Sequence, residues 1–270
     1  MPAIQSQALA QLAKLNFKAK AIQLPMNFNG FTDQAPFTAK DQKAPDPATL
    51  FVPSSTLNYH VDTSDVIGGN VEELIDACSN AIGNGMTQWQ SGAKFVGVMI
   101  NGPVGMAMPG SLVAPPSMMG PMLFSQVSMA GKQPEFIKYA RSITFAIGTA
   151  FQVWQTGYMA ILTFPGGSAC SVTMVPSPSV PLPIIAGFSP GDAMMSAAAL
   201  NGLMLANHGL PGYHAMAVFD AFAQAFSTLF MAWKGSTIIT AVMGAGGVAP
   251  PPPLPPAPVV MAVGNMGSLP

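Results

Sequence analysis

The sequence predicts an α+β protein built from three tandem units, each a helix followed by a β-hairpin. The only three tryptophans of the chain stand near the ends of apolar stretches, a glycine follows each within three residues, and a β-prone run follows each glycine. Such a unit cannot bury its apolar face alone, so repeated units must pack together. The pairs that define the structural repeat are Trp89 with Gly92, Trp154 with Gly157, and Trp233 with Gly235.

The first 66 residues stand apart from these units. They show no sustained hydrophobic periodicity after about residue 20. Turn clusters at residues 27–30 and 44–47 interrupt them, and both signs of charge are present. We therefore expect residues 1–66 to form an extended N-terminal arm that lies over neighbouring subunits.

The first unit occupies residues 67–131. We expect its helix to begin after Asn70 as N-cap, with acidic residues in the first turn, and to end at Gly92. The run KFVGVMI then predicts a strand, and Asn101-Gly102-Pro103 predicts the turn of a hairpin.

The second unit occupies residues 132–191. Pro134 suits the first turn of its helix, and Gly157 marks the end. The run YMAILTF predicts the strand, and Pro165-Gly166-Gly167 the turn. Proline in the return segment confines that strand to an edge of a sheet or to an unpaired, extended conformation.

Residues 192–270 combine an extra helix, at about 191–206, with the third unit. The third helix is expected from about Tyr213 to Lys234, and its strand in STIITAV. The units should superpose at about 71–116, 134–186 and 213–262. Their stop glycines should have positive φ, because glycine adopts that conformation without steric cost.

Charge is scarce and unevenly placed. Only 8% of residues are charged, and after Arg141 the charged residues are Asp192, Asp220 and Lys234. A net charge of −1 and the lack of a basic patch argue against a nucleic-acid partner. A large uncharged apolar surface indicates a protein partner or a membrane.

The best candidate for a membrane span is residues 143–165, which are long enough to cross a bilayer. Gln152 and Gln155 interrupt its middle, however, and its second half is β-prone. The equivalent helix of the first unit carries Glu72, Glu73 and Asp76, which are costly in hydrocarbon. No signal peptide is expected at the N-terminus. A membrane-associated or pore-forming protein is therefore the alternative to an assembly protein.

Two motifs typical of enzymes occur in unsuitable contexts. Residues 187–191 match G-x-S-x-G, but Pro190 follows the serine and has no N–H for an oxyanion. We interpret Ser189 as a helix N-cap. Residues 244–249 match G-x-G-x-x-A, but a proline-rich run follows in place of the helix that would meet pyrophosphate. We interpret this loop as a hairpin turn, and expect no bound cofactor.

The remaining candidate groups also have structural interpretations. His208 and His214 are six residues apart, which is not a helical spacing for metal ligands, so no metal site is expected. Glu72 and Asp76 share a helix face and suit the helix dipole. Cys78 and Cys170 are too few for a disulfide framework and are expected as buried thiols. The sequence thus predicts no catalytic residue, although an enzyme of an unrecognised class stays open.

Residues 67–270 resemble, by type, the charge-poor, glycine- and proline-rich structural proteins of tailed phages and contractile injection particles. The resemblance is carried by the repeated helix–hairpin units, the scarcity of charge, and the glycine and proline content. It implies a non-enzymatic structural subunit of a tail, baseplate or neck that packs in a ring or hub. Its partners would be copies of itself and other subunits of the particle, assembled in the cytoplasm.

Overall fold

The fold is a mixture of helices and antiparallel strands, which confirms the α+β class. The computed structural model describes residues 3–25, 38–101, 104–115, 118–164, 177–209, 214–244, 259–260 and 262–267. The helices in this part of the chain are α1 (Ser6–Lys18), α2 (Asn58–Gly92), α3 (Gly120–Ser125), α4 (Pro134–Gly157), α5 (Ala197–His208) and α6 (Ala215–Ser236).

The strands follow the long helices α2, α4 and α6. They are β1 (Lys94–Val96), β2 (Met99–Asn101), β3 (Val104–Ala107), β4 (Leu112–Val113), β5 (Ala160–Thr163), β6 (Ser177–Pro178), β7 (Leu182–Pro183), β8 (Ile238–Gly244), β9 (Val259–Val260) and β10 (Ala262–Gly267). Each long helix leads directly into a strand: one residue connects α2 to β1 and α6 to β8, and two residues connect α4 to β5.

The long helices form the centre of the molecule because each carries an apolar stripe at helical spacing. On α2 the buried stripe includes Ile75, Cys78, Ile82 and Met86, all fully buried. α4 and α6 bury comparable stripes, and the three helices contribute to one hydrophobic core.

The shorter helices lie in the grooves between the long ones. α1 packs against α2 and α6, α3 against α2 and α4, and α5 against α4 and α6. Two glycines permit the closest approaches. A Cβ on Gly83 of α2 would lie 2.8 Å from the Ser6 side chain, and one on Gly148 of α4 would lie 2.2 Å from the Gly120 backbone nitrogen.

The prediction that residues 1–66 form an extended arm is wrong in two segments, both of which are helical. Residues 6–18 form α1, which buries Leu9, Ala13 and Phe17 completely. Residues 58–66 belong to α2, which begins twelve residues before the predicted Asn70 cap. Asn70 as a cap, with Glu72 and Glu73 after it, suggested a helix start, but packing overrides the weak helix propensity of Asn70. Residues 26–37 lie outside the described part.

Three other helix predictions agree better with the structure. α4 begins at Pro134 and ends at Gly157, as predicted. The helix expected at about 191–206 is a 3-10 segment, Pro190–Met195, followed by α5. The third repeat helix, expected from about residue 213, is α6.

Strand pairing crosses the boundaries between the predicted units. One sheet has the order β4-β1-β10-β8-β6, with β7 also on β8; the other has the order β5-β3-β2-β9. A hydrogen bond from the Val180 N–H to the Thr163 carbonyl oxygen (2.7 Å) links β5 to the segment between β6 and β7. Both sheets therefore mix strands from different units. The predicted boundaries after residues 131 and 191 stay predictions, and the three hairpin turns lie partly outside the described residues.

Candidate functional site

The three tryptophans meet where the long helices converge. Their ring centroids are separated by 6.1 Å (Trp89 to Trp154), 5.8 Å (Trp89 to Trp233) and 5.7 Å (Trp154 to Trp233). Each ring is at most 2% exposed. The three indoles thus form a nearly equilateral triangle in the core, which we call the tryptophan cluster.

Two of the indole N–H groups donate to glutamines on a neighbouring long helix. Trp89 donates from Nε1 to Oε1 of Gln155 at 2.8 Å, and Trp233 donates to Oε1 of Gln90 at 3.0 Å. The Gln155 amide also donates to the Leu112 carbonyl oxygen at 3.2 Å, which joins the tryptophan cluster to β4. Gln90 directly follows Trp89, and Gln155 directly follows Trp154. This Trp-Gln pattern was not used in the sequence-based prediction.

The third indole lacks such an acceptor. Trp154 Nε1 is buried without a hydrogen-bond partner in the described part of the chain. The residue after the third tryptophan is Lys234, whose ammonium group donates and cannot accept. Lys234 is almost fully buried and pairs with Asp192.

Aromatic residues on the long helices surround the tryptophan cluster. Phe151 lies 4.9 Å from Trp89, and Phe230 lies 5.3 Å from Trp154, both edge-to-face. Such pairs contribute about 0.5–1.5 kcal/mol each beyond their buried area. Tyr158 also packs on Trp154, and its hydroxyl donates to the Ile184 carbonyl oxygen at 2.7 Å. Burial raises the pKa of Tyr158 above its usual value.

The prediction of positive φ at Gly92, Gly157 and Gly235 is wrong, since none of them is among the positive-φ glycines. The long helices end because the next residue is extended, with ψ of 129° at Ala93, 132° at Tyr158 and 133° at Thr237. A direct helix-to-strand junction has no need of a left-handed residue.

Close packing, rather than a left-handed conformation, accounts for two of these glycines. A Cβ on Gly92 would lie 2.5 Å from the Pro115 carbonyl oxygen, and one on Gly157 would lie 3.0 Å from Ser189 Oγ. Gly235 has open space around it. α6 ends at Ser236, three residues after its tryptophan, as α2 and α4 do at their glycines. The residue that corresponds to Gly92 and Gly157 is therefore Ser236.

Ser189 is a helix cap, as predicted. Its hydroxyl accepts from the Gly191 N–H at 3.1 Å and donates to the Trp154 carbonyl oxygen at 2.8 Å. Asp192 completes a capping box by accepting from the Ser189 N–H. The serine is fully buried and fixes the 3-10 segment against α4. This geometry suits a structural role and not a nucleophile.

The other candidate groups are dispersed among the helices. His208 ends α5, whereas His214 precedes α6. Across the described ranges, no group of three or more His, Cys, Asp or Glu residues is placed to hold a metal ion. Cys78 is a buried free thiol whose pKa is raised by desolvation, as an inert core residue requires. Cys170 lies outside the described residues.

Two acids of the start predicted for the first helix, Glu72 and Asp76, lie within α2 and face α1. Asp76 pairs with Lys14 at 2.8 Å, and Glu72 lies 3.9 Å from the same ammonium group. These groups are partly exposed, so the pairs contribute at most about 1 kcal/mol each. The acids act in helix docking.

Apolar side chains are exposed on the outer face of the four-stranded sheet. Met99 of β2 is directly opposite Met106 of β3, and Met106 is opposite Ile161 of β5. All three are exposed, and Val104 is exposed nearby on β3. We call Met99, Val104, Met106 and Ile161 the apolar strand face.

Charge is distributed very differently at the two ends of the long helices. Lys94 is the only charged residue in the sequences of β1–β10. The N-terminal parts of α2 and α4, by contrast, carry most of the helical charges, from Asp62 to Asp76 and from Glu135 to Arg141. The molecule therefore has one charged end and one nearly uncharged end, and the apolar strand face belongs to the latter.

No protein-family model, curated protein or solved structure matches this chain. By length and composition, one helix in the described ranges, Ala215–Ser236, is apolar enough to cross a membrane, and 50% of its most apolar window is buried inside the protein.

Proposed function

We propose that the chain consists of three copies of one unit arranged around an internal threefold pseudo-axis. Each unit comprises a short helix, a long helix and the strands that follow: α1–α2–β1 to β4, α3–α4–β5 to β7, and α5–α6–β8 to β10. The helix regarded as extra in the sequence is then the short helix of the third unit, and α1 is that of the first.

Burial at equivalent positions supports this arrangement. The residues 14, 11, 7 and 3 positions before each tryptophan are all fully buried, although their types differ. They are Ile75, Cys78, Ile82 and Met86 in α2; Ala140, Ile143, Ile147 and Phe151 in α4; and Phe219, Phe222, Phe226 and Phe230 in α6.

Cyclic contacts support it as well. The first tryptophan donates to the glutamine of the second unit, and the third donates to that of the first. Strand pairing follows a cycle too: β5 pairs with β3 of the first unit, β8 with β6 and β7 of the second, and β1 with β10 of the third. Each strand after a long helix thus pairs with the return segment of the preceding unit.

We propose that this pseudo-trimer is a non-enzymatic structural subunit of a large protein assembly, such as a phage tail or a contractile-injection-like particle, where it packs in a ring or hub. Its partners would be copies of itself and other subunits of the particle. The observation that carries the proposal is the apolar strand face on the nearly uncharged end. An obligate interface is apolar in its core and poor in charge.

Sedimentation of the purified full-length chain tests the proposal. We expect an oligomer, and we expect Ile161→Lys, on the apolar strand face, to shift it toward the monomer. The matched control is Val66→Lys on α2, since Ile161 and Val66 are 67% and 65% exposed. A protease-resistant wild-type monomer in plain buffer would overturn the proposal and favour an enzyme of an unrecognised class.

The alternative is a membrane-associated protein, which the apolar composition of α6 favours. Met216 and Met231 are exposed on this helix. Flotation of the wild-type chain with neutral lipid vesicles separates the two functions: an assembly subunit stays at the bottom of the gradient, and a membrane protein rises with the lipid.

A further inference from the structure

A cavity of about 540 Å³ opens among the N-terminal halves of the three long helices, at the charged end. Its walls include Leu74 of α2, Tyr139 of α4 and Val218 of α6, each fifteen residues before the tryptophan of its helix. Val71 and Phe136, one helical turn before Leu74 and Tyr139 on the same helices, also line it. Its volume falls in the range of about 300–1,000 Å³ that small-molecule sites occupy.

The rim of this cavity contains two carboxylates and one ammonium group. Glu73 and Glu135 supply the carboxylates, and Lys132 supplies the cation. Glu135 pairs outward with Lys138 at 2.8 Å, and both side chains are well exposed. Glu73 is therefore the carboxylate that can bind a cation beside the aromatic ring of Phe136.

Lys132 already shows how a cation is held at this place. Its Nζ lies 5.4 Å from the centroid of the Phe136 ring and pairs with Glu73. The Lys132 side chain is only 23% exposed, although it comes from the connection between α3 and α4. An aromatic face beside a carboxylate is a favourable environment for an ammonium or guanidinium group.

We infer that the cavity is a binding site for an organic cation, an ammonium group on an aromatic or aliphatic stem. The cation displaces the ammonium group of Lys132 from Glu73 and Phe136, and the stem occupies the apolar wall formed by Leu74, Tyr139 and Val218. Lys132 acts as a tethered competitor, because a group on the same chain is present at a high effective concentration.

Calorimetric titration with 3-phenylpropylammonium tests the inference, with 3-phenylpropan-1-ol as the uncharged analogue. Lys132→Met removes the competitor, and we expect it to bind the ammonium at least tenfold more tightly than the wild type does. Adding Glu73→Gln to Lys132→Met should lose most of that gain. The control is Lys94→Met, which removes an exposed lysine of β1 far from the cavity and should bind as the wild type does.

Equal affinity of Lys132→Met for the amine and the alcohol overturns the inference, as does absence of binding to this variant. If Lys132→Met does not fold, wild-type amide shifts decide the question. The ammonium must then shift the amides of residues 131–133, 135–139 and Leu74, and no shift up to the solubility limit of the probe rejects the site. The result is independent of the oligomeric state tested with Ile161→Lys at the other end of the molecule.

Discussion

At the scale of single residues, the tryptophan cluster combines apolar packing with directed hydrogen bonds. Trp89 and Trp233 have glutamine acceptors, whereas Trp154 has none in the described part. A buried indole N–H without an acceptor loses its hydrogen bonds to water, which costs about 1–3 kcal/mol. The residue after Trp89 and after Trp154 is a glutamine, whereas the residue after Trp233 is Lys234, which pairs with Asp192 and cannot accept a hydrogen bond.

We expect Gln155→Leu to lower the free energy of unfolding by about 1–3 kcal/mol, because it leaves Trp89 Nε1 without its acceptor in the core. The control is Gln152→Leu, an exposed position on the same helix, which should change stability by less than about 0.5 kcal/mol. Urea unfolding followed by tryptophan fluorescence measures both. Equal effects of the two substitutions would show that the hydrogen bond contributes nothing.

At the scale of elements, two of the short helices, α1 and α3, approach the long helices at glycines. The closest such contact is between Gly148 of α4 and Gly120 at the start of α3, where the meeting atoms are both in the backbone. Backbone atoms give way less easily than the end of a flexible side chain. The small residues therefore set how closely α3 packs in the groove between α2 and α4.

Gly148→Ala should destabilise the protein by about 1–3 kcal/mol, because the added methyl group forces α3 away from α4. This loss exceeds the gain of up to about 1 kcal/mol in helix propensity. Gly202→Ala in α5 is the matched control: apart from the local backbone of α5, nothing lies within 4 Å of its added Cβ, so only the favourable propensity should act. Thermal unfolding followed by circular dichroism compares them, and a stabilising Gly148→Ala would contradict the packing argument.

At the scale of the whole molecule, α1 fills the groove between the first and third long helices. It is therefore part of the core, and its contacts connect the beginning of the chain to α6. Lys20 pairs with Asp220 of α6, and Asn16 donates to the Ala221 carbonyl oxygen at 3.3 Å. An extended arm would leave both the groove and these partners uncovered.

Phe17→Ala should therefore lower the free energy of unfolding by about 3–5 kcal/mol, since the ring is fully buried and its loss leaves a cavity. Leu15→Ala, at a position 64% exposed on the same helix, should stay within about 0.5 kcal/mol of the wild type. Denaturant unfolding of the full-length chain distinguishes them. Two small and equal effects would mean that α1 does not dock in solution.

The sequence by itself determined the mixed class, the course of α4, the cap at Ser189 and the helical ends next to the three tryptophans. These features depend on local signals: apolar residues at helical spacing, proline in a first turn, and a capping serine. The sequence shows these signals because each one acts on residues within a few positions of it. The prediction of positive φ at the glycines failed because the need for glycine comes from a contact with a distant residue, as between Gly92 and Pro115.

Only the tertiary structure decided which segments meet. Residues 6–18 carry an ordinary amphipathic pattern, and nothing local indicates that they dock between α2 and α6. Likewise, Trp89 and Gln155 are 66 positions apart, and β1 pairs with β10 near the other end of the chain. Such contacts depend on the shape and burial of a complete core, which short-range pattern does not encode, and the tryptophan cluster exists only when all three long helices converge.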